Sequence, residues 1–163
     1  IGAKEGSLTI MAGGDEEAFN SSLQVLNLYS KYSKRMGDSG SGQLTKMVNQ
    51  ICIAGLIQAL AEGMHFSEKA GLNTKEVIEV ISRGAAQSWQ MDNRWETMLA
   101  DYYEHGFAVD WMRKDLGFVL EESVVNGSNL EITNLIDSFY AEVQQKEGGR
   151  WDTSSLFRRL NSQ

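Results

Sequence analysis

Residues 43–71 read QLTKMVNQICIAGLIQALAEGMHFSEKAG, and this stretch decides the fold. Its apolar residues recur every three or four positions, which predicts one long helix over residues 43–70 that ends at Gly71. Because apolar side chains surround most of its circumference, we expect this helix to be buried on several sides as the central pillar of a domain. The uncharged run at 47–61 is shorter than the about 20 apolar residues of a membrane span and carries amide side chains, which indicates a core helix and no membrane.

The segments after this helix are helical as well. Capping side chains such as Asn73 or Thr74 and Asp152, together with glycines at the ends, mark the boundaries of the helices. Further helices are predicted near residues 73–84, 87–99, 110–127, 130–146 and 152–160.

The segment before the long helix has a different pattern. Residues 7–12 alternate as a strand does, Asp15 caps a predicted helix, and residues 32–36 form a second predicted strand. A strand, a helix and a strand cannot bury their own faces, so they resemble the end of an α/β sheet that begins earlier. We therefore predict two domains, an α/β remnant over 1–38 and an all-helical domain over 39–163.

Composition and charge exclude several classes of protein. The chain has 163 residues, 22 of them acidic and 15 basic, for a net charge of −7, which argues against a nucleic-acid surface. A single cysteine excludes an internal disulfide, and no Cys, His or Asp cluster has the spacing of a zinc site, so no metal is expected. No signal peptide is recognisable, and the default expectation is a cytoplasmic protein.

The glycines at 37–42 could belong to a phosphate-binding loop. Gly37 and Gly42 have the required spacing, but Gln43 and Leu44 stand where such a loop needs a lysine and a hydroxyl. A dinucleotide fingerprint beginning at Gly40 lacks its third glycine. The simpler interpretation is a flexible entry to the long helix, capped by a serine at 39 or 41.

Lys46, Asn49 and Gln50 share one face near the start of the long helix. Their neighbours are apolar, so we expect this patch to be partly buried. A lysine in such a place suits general acid–base chemistry near neutral pH. The alternative is a lysine that extends from a core helix to solvent, with Asn49 bonded to a neighbouring backbone group.

A family resemblance covers the whole chain in order. The pattern Gly40-x-Gly42-x-x-x-Lys46-x-x-Asn49 resembles the catalytic motif of the β-hydroxyacid dehydrogenases, which include 3-hydroxyisobutyrate dehydrogenase, tartronate semialdehyde reductase and glyoxylate/succinic semialdehyde reductases. Further similar segments are residues 2–14, Phe107, residues 113–117 and residues 149–156. The resemblance implies a mainly α fold like the C-terminal domain of 6-phosphogluconate dehydrogenase, after a strand-helix-strand remnant of a Rossmann sheet.

The resemblance also implies roles for five residues. Lys46 would be the catalytic acid/base, Asn49 would bind the substrate, and Phe107 would line the substrate pocket. Lys114 would reach the cofactor, and Asp115 would position its surroundings. Without the family, the simpler interpretations are Phe107 as a core residue and Lys114 with Asp115 as a solvated pair.

Partners follow from the same resemblance: NAD or NADP as cofactor, a small hydroxy acid or semialdehyde as substrate, and a homodimer through the helical domain. The family's glycine-rich fingerprint and Ser-Gly-Gly loop do not occur in these 163 residues. We therefore expect a C-terminal portion of a longer enzyme that is inactive alone. The alternative is a non-catalytic helical oligomerisation or binding module with a dehydrogenase-like fold.

Overall fold

The computed structural model describes residues 2–161. The chain divides into two compact units, Ile1–Asn49 and Gln50–Gln163, and this division falls inside the long helix. The domain limits predicted above, 1–38 and 39–163, stay predictions.

The first unit contains the predicted strand, helix and strand. Strand β1 spans Leu8–Gly13, helix α1 spans Glu16–Leu26 and strand β2 spans Ser30–Gly37, with β1 and β2 paired in parallel. The predicted cap of α1 is confirmed, because Asp15 Oδ1 accepts the Ala18 N–H at 2.9 Å. No residue of α1 is fully buried, as expected for elements too few to cover one another.

The helices that follow confirm the predicted order. They are α2 at Ser41–Lys69, α3 at Thr74–Ile81, α4 at Trp89–Leu99, α5 at Val109–Asn126, α6 at Glu131–Gln145 and α7 at Leu156–Asn161, with 3₁₀ turns at Gly148–Arg150 and Thr153–Ser155. Asn73 and Ser88 cap α3 and α4 through their side chains. Gly127 ends α5 with a φ of 76°, in the left-handed region that glycine adopts without strain. Helix α3 stops at Ile81, three residues before the predicted glycine.

Helix α2 is covered less completely than its sequence predicts. One face is buried in the core of the second unit, at Ala54, Ile57, Ala61 and Met64. The expectation of burial on several sides is wrong for the described chain, since Val48 is 59% exposed and other apolar side chains, Leu44, Leu56 and Phe66, are exposed too. The described helices cover one side of α2 and leave apolar side chains on another.

Helix α2 is also long and apolar enough to cross a membrane by length and composition alone. One third of its most apolar window is buried, and core helices of soluble proteins meet the same criterion. Gln50, Gln58 and Ser67 are buried polar residues along it, which fits a core helix better than a lipid-exposed one. The expectation that the chain does not enter a membrane stays a prediction.

Candidate active site

Lys46 and Asn49 lie on the part of α2 that belongs to the first unit. The helix is continuous through both residues and through Gln50, so the predicted common face is confirmed. Asn49 is half-buried, whereas Lys46 is exposed, and the expectation of a partly buried lysine is wrong for the described chain. The first unit has two strands and one other helix, which leave the Lys46 side chain in solvent.

The glycines that precede Lys46 form a tightly packed turn. Gly40 has a φ of 94°, and its carbonyl accepts the Leu44 N–H at 3.0 Å, so α2 begins directly after it. Ser41 is therefore the first helical residue, and the predicted cap by a serine at 39 or 41 stays a prediction. A Cβ on Gly42 would fall onto the carbonyl oxygen of Met11 and lie 2.9 Å from the Gly13 nitrogen. Gly42 thus permits a close approach of α2 to the end of β1.

In the second unit, Gln50 bonds to Asp115. Gln50 is 2% exposed, and its Nε2 donates to Asp115 Oδ2 at 2.8 Å. Asp115 is therefore only partly solvated: its side chain is 22% exposed, and a buried amide holds one of its oxygens. The sequence places Gln50 on the same face as Lys46 and Asn49 but does not identify Asp115 as its partner. An amide on the apolar face of a core helix is nevertheless a signal that it has a polar partner.

Lys114 stands beside this pair on α5. Its Nζ lies 3.8 Å from Asp115 Oδ1, and its side chain is 53% exposed. The same ammonium lies over the ring faces of Trp111 and Phe118, at 5.3 and 5.9 Å from their centroids. Asp115 and the two rings attract a cation that still faces solvent, so Lys114 can contact an anionic ligand.

Phe107 lies in a loop before α5 and is 39% exposed, so the interpretation as a core residue is wrong. It lines a cavity of about 500 Å³ together with His105, Trp111 and Arg150. The backbone of Phe107 is bonded on both sides: its N–H donates to Asp152 Oδ2 at 2.8 Å, and its carbonyl accepts the Thr153 N–H at 2.9 Å.

Two titratable groups close in sequence to Phe107 and Lys114, Tyr103 and Arg113, have raised pKa values. Burial, reinforced by the nearby Asp101 carboxylate, raises the pKa of the Tyr103 phenol. Hydrogen bonds to Asp137 raise the pKa of the Arg113 guanidinium. Both shifts keep these groups in their protonated forms at neutral pH, so neither is suited to act as a base there.

Lys46 and Asn49 thus belong to one unit, and Phe107, Lys114 and Asp115 belong to the other. The prediction that these five residues form one active site stays a prediction. Within residues 2–161, no group of three or more His, Cys, Asp or Glu side chains could hold a metal ion.

Comparison with known proteins identifies relatives along the whole chain. A family profile described as "NAD-binding of NADP-dependent 3-hydroxyisobutyrate dehydrogenase" matches residues 40–160. An oxidoreductase of Shewanella frigidimarina is 58% identical over 98% of this chain and 55% of its own length. The 2-hydroxy-3-oxopropionate reductase of Escherichia coli is 32% identical over 98% of this chain and 55% of its own length. The chain therefore spans about half the length of the curated relatives it matches.

Solved structures agree with the sequence comparisons. A 3-hydroxyisobutyrate dehydrogenase from Salmonella typhimurium has a TM-score of 0.85 and 28% identity, over 96% of this chain and 55% of that protein. The enzyme of that name from Mycobacterium tuberculosis has a TM-score of 0.89 at 24% identity, over 98% of this chain and 57% of that protein, and it supports the fold alone. The mainly α fold predicted from the sequence is confirmed. The chain belongs to the 3-hydroxyisobutyrate dehydrogenase-like family of β-hydroxyacid dehydrogenases.

Proposed function

We propose that this chain is the C-terminal portion of an NAD(P)-dependent oxidoreductase that oxidises a small 3-hydroxy acid or reduces the matching semialdehyde. The observation that carries the proposal is the family match over residues 40–160, which contains Lys46 and Asn49 on one continuous helix. Relatives named for small hydroxy acids support the substrate class, among them a 2-(hydroxymethyl)glutarate dehydrogenase of Eubacterium barkeri that is 30% identical over 96% of this chain and 52% of its own length.

In the proposed mechanism Lys46 moves the proton. Its Nζ takes the proton of the substrate hydroxyl during oxidation and protonates the carbonyl oxygen during reduction. Asn49 holds the substrate and orients that oxygen, and the ring of Phe107 forms part of the pocket wall. A bound nicotinamide cofactor supplies the hydride transfer.

The residues present fit one edge of such a cofactor. Lys114 offers a half-exposed cation within 6 Å of two aromatic ring centroids, and Asp115, which is bonded to Gln50, lies beside it. The glycine fingerprint that binds the pyrophosphate is absent from these 163 residues, so most of the cofactor contacts would come from another segment of a longer protein.

A chimera tests this division of the site. The part of the Shewanella frigidimarina relative outside its matched segment is joined ahead of this chain, and NADH and NADPH are titrated into the chain alone and into the chimera by calorimetry. We expect the chain alone to bind about 100-fold more weakly or more, equivalent to about 2.7 kcal/mol, because half of the nucleotide contacts are missing. Micromolar affinity for the chain alone would contradict the proposal.

The proposed homodimer has a candidate surface in the second unit. Helices α2, α3 and α4 line an apolar groove of about 190 Å³ that includes Leu56, Ile81 and Met91. Leu56 is 45% and Ile81 37% exposed, so the groove opens at the surface. Contiguous apolar surface of this kind favours a protein partner, and we propose a second copy of this chain.

The dimer is tested by a charge placed in this groove. We expect the unsubstituted chain to sediment at micromolar concentration with twice its mass of 18.2 kDa. Leu56→Asp should shift it towards the monomer, since a carboxylate would be buried without a partner. The matched control is Val124→Asp on α5, which is 85% exposed, is not among the residues that line the groove, and should leave the mass unchanged. A monomeric unsubstituted chain would refute the dimer.

A further inference from the structure

Asp152 is a fully buried carboxylate that holds the loop carrying Phe107. Its Oδ2 accepts the Phe107 N–H at 2.8 Å, while its Oδ1 accepts the N–H and the hydroxyl of Ser154 at 3.0 and 2.6 Å. The backbone adds two more bonds between the same segments, from Asp152 N–H to the Tyr103 carbonyl at 2.8 Å and from Thr153 N–H to the Phe107 carbonyl at 2.9 Å. The C-terminal segment therefore fixes this loop from one side.

The charge of Asp152 is balanced by Arg94. The Arg94 Nε lies 3.2 Å from Asp152 Oδ1, and the Arg94 side chain is 17% exposed. The guanidinium also stacks over the Trp89 ring, 4.9 Å from its centroid, which fixes its position. A buried carboxylate without such a partner would be strongly disfavoured, so Arg94 and Asp152 act as a pair.

Gly106 makes the approach of this carboxylate possible. It has a φ of 68°, and a Cβ at this position would fall onto Asp152 Oδ2 and lie 3.0 Å from Arg94 Nη2. Any other residue immediately before Phe107 would push the carboxylate away from the Phe107 N–H. Asp152 thus bonds directly to the Phe107 amide, and Arg94 contacts the same carboxylate.

The position of Phe107 indicates that the bonds from Asp152 and Thr153 to its backbone do more than stabilise the fold. Its ring is 39% exposed and lines a cavity of about 500 Å³, so core packing does not hold it. When a side chain that lines a pocket lies on a loop, the loop backbone must be fixed for the substrate to bind against that side chain in a single geometry. The only fixed contacts described for the Phe107 backbone are those to Asp152 and Thr153.

We propose that Asp152 is a positioning residue that fixes the Phe107 loop as a wall of the substrate pocket. Arg94 pairs with its charge, and the missing side chain of Gly106 leaves room for its carboxylate. The proposal rests on the proposed function, in which Phe107 lines that pocket. Asp152 does not touch the substrate in this scheme and acts through the Phe107 backbone.

Hydrogen exchange, measured on the chain itself, tests whether Asp152 fixes the Phe107 backbone. This measurement does not require enzymatic activity. Asp152→Asn keeps the size of the side chain but removes the charge that Arg94 balances and replaces one acceptor oxygen by a donor. We expect exchange of the Phe107 amide to accelerate about tenfold or more. The matched control, Glu142→Gln, neutralises the carboxylate that pairs with the buried Arg159 at 2.8 Å on α7, and should leave Phe107 exchange unchanged.

Kinetics in the chimera test the link to substrate. A purely structural role would reduce the active fraction, which lowers the apparent kcat and leaves KM unchanged. The positioning role predicts for Asp152→Asn a KM about tenfold higher with kcat changed less, since a binding wall is lost. Gly106→Ala should have the same signature, and Glu142→Gln should keep the original KM.

The outcomes separate the two proposals. Equal exchange rates of the Phe107 amide in Asp152→Asn and Glu142→Gln would show that Asp152 does not fix the Phe107 backbone. Faster exchange in Asp152→Asn with an unchanged KM would show that fixing this backbone has no role in substrate binding. An unsubstituted chimera without turnover would refute the proposed function and the link to substrate. Exchange of the Phe107 amide would still show whether Asp152 fixes the Phe107 backbone.

Discussion

Replacing Lys46 with alanine in the chimera is expected to lower kcat by about 10²–10⁴-fold, the range that a positioned general acid–base contributes. The loss follows from the removal of the Nζ that takes and returns the proton of the substrate oxygen. Because Lys46 is exposed on α2 and alanine favours helices, the fold should be unaffected. Steady-state kcat is measured alongside the thermal unfolding midpoint, which should not fall.

Two further variants separate proton transfer from simple charge. Lys46→Arg keeps the positive charge, but a guanidinium with a pKa above 12 does not release its proton at neutral pH, so kcat should stay low. Lys69→Ala removes another exposed lysine from the last turn of the same helix and should leave kcat unchanged. Full activity of Lys46→Arg would contradict acid–base catalysis. Full activity of Lys46→Ala would show that another group moves the proton. An unsubstituted chimera without turnover would favour the non-catalytic module, an alternative with which the exposure of Lys46 is compatible.

The helices were predictable because their signals are local. The period of apolar residues set the extent of α2 within two residues at its start, and the Asn73 side chain and Gly127 backbone marked ends that the structure confirms. Caps and glycine turns depend on neighbours within about four positions along the chain. Such features can therefore be derived from a single sequence.

The candidate site was less predictable because its contacts are distant in sequence. The bond from Gln50 to Asp115 spans 65 positions, and the bond from Phe107 to Asp152 spans 45. The sequence showed Asp152 as a helix cap, and it does accept the Ser154 N–H, but its second oxygen serves the loop. Exposure was unpredictable for a related reason. The apolar period of α2 does not reveal which face the rest of the chain covers.

Gly42→Ala is expected to lower the free energy of unfolding of the first unit by about 3 kcal/mol, the upper part of the range for overpacking. The added methyl group would meet the backbone of Met11 and Gly13, and backbone cannot move aside as a flexible side chain can. The approach is tight from both sides, since a Cβ on Gly13 would lie 2.6 Å from the Asp38 carbonyl oxygen and 2.9 Å from the Gly42 nitrogen. Amide exchange along β1 measures the loss, because this strand must separate from α2 to admit the methyl group.

The control lies in the same helix. A Cβ on Gly55 meets nothing within 4 Å, so Gly55→Ala should stabilise α2 by about 1 kcal/mol through helix propensity alone. Opposite signs for the two substitutions would show that Gly42 is required by packing against β1. Equal, stabilising effects would mean that the turn at Gly40 and Gly42 has room for a side chain, and would contradict the need for glycine at position 42. If Gly42 is required by packing, the glycines of the motif act on Lys46 indirectly. They fix the start of helix α2, and Lys46 lies about one turn after that start.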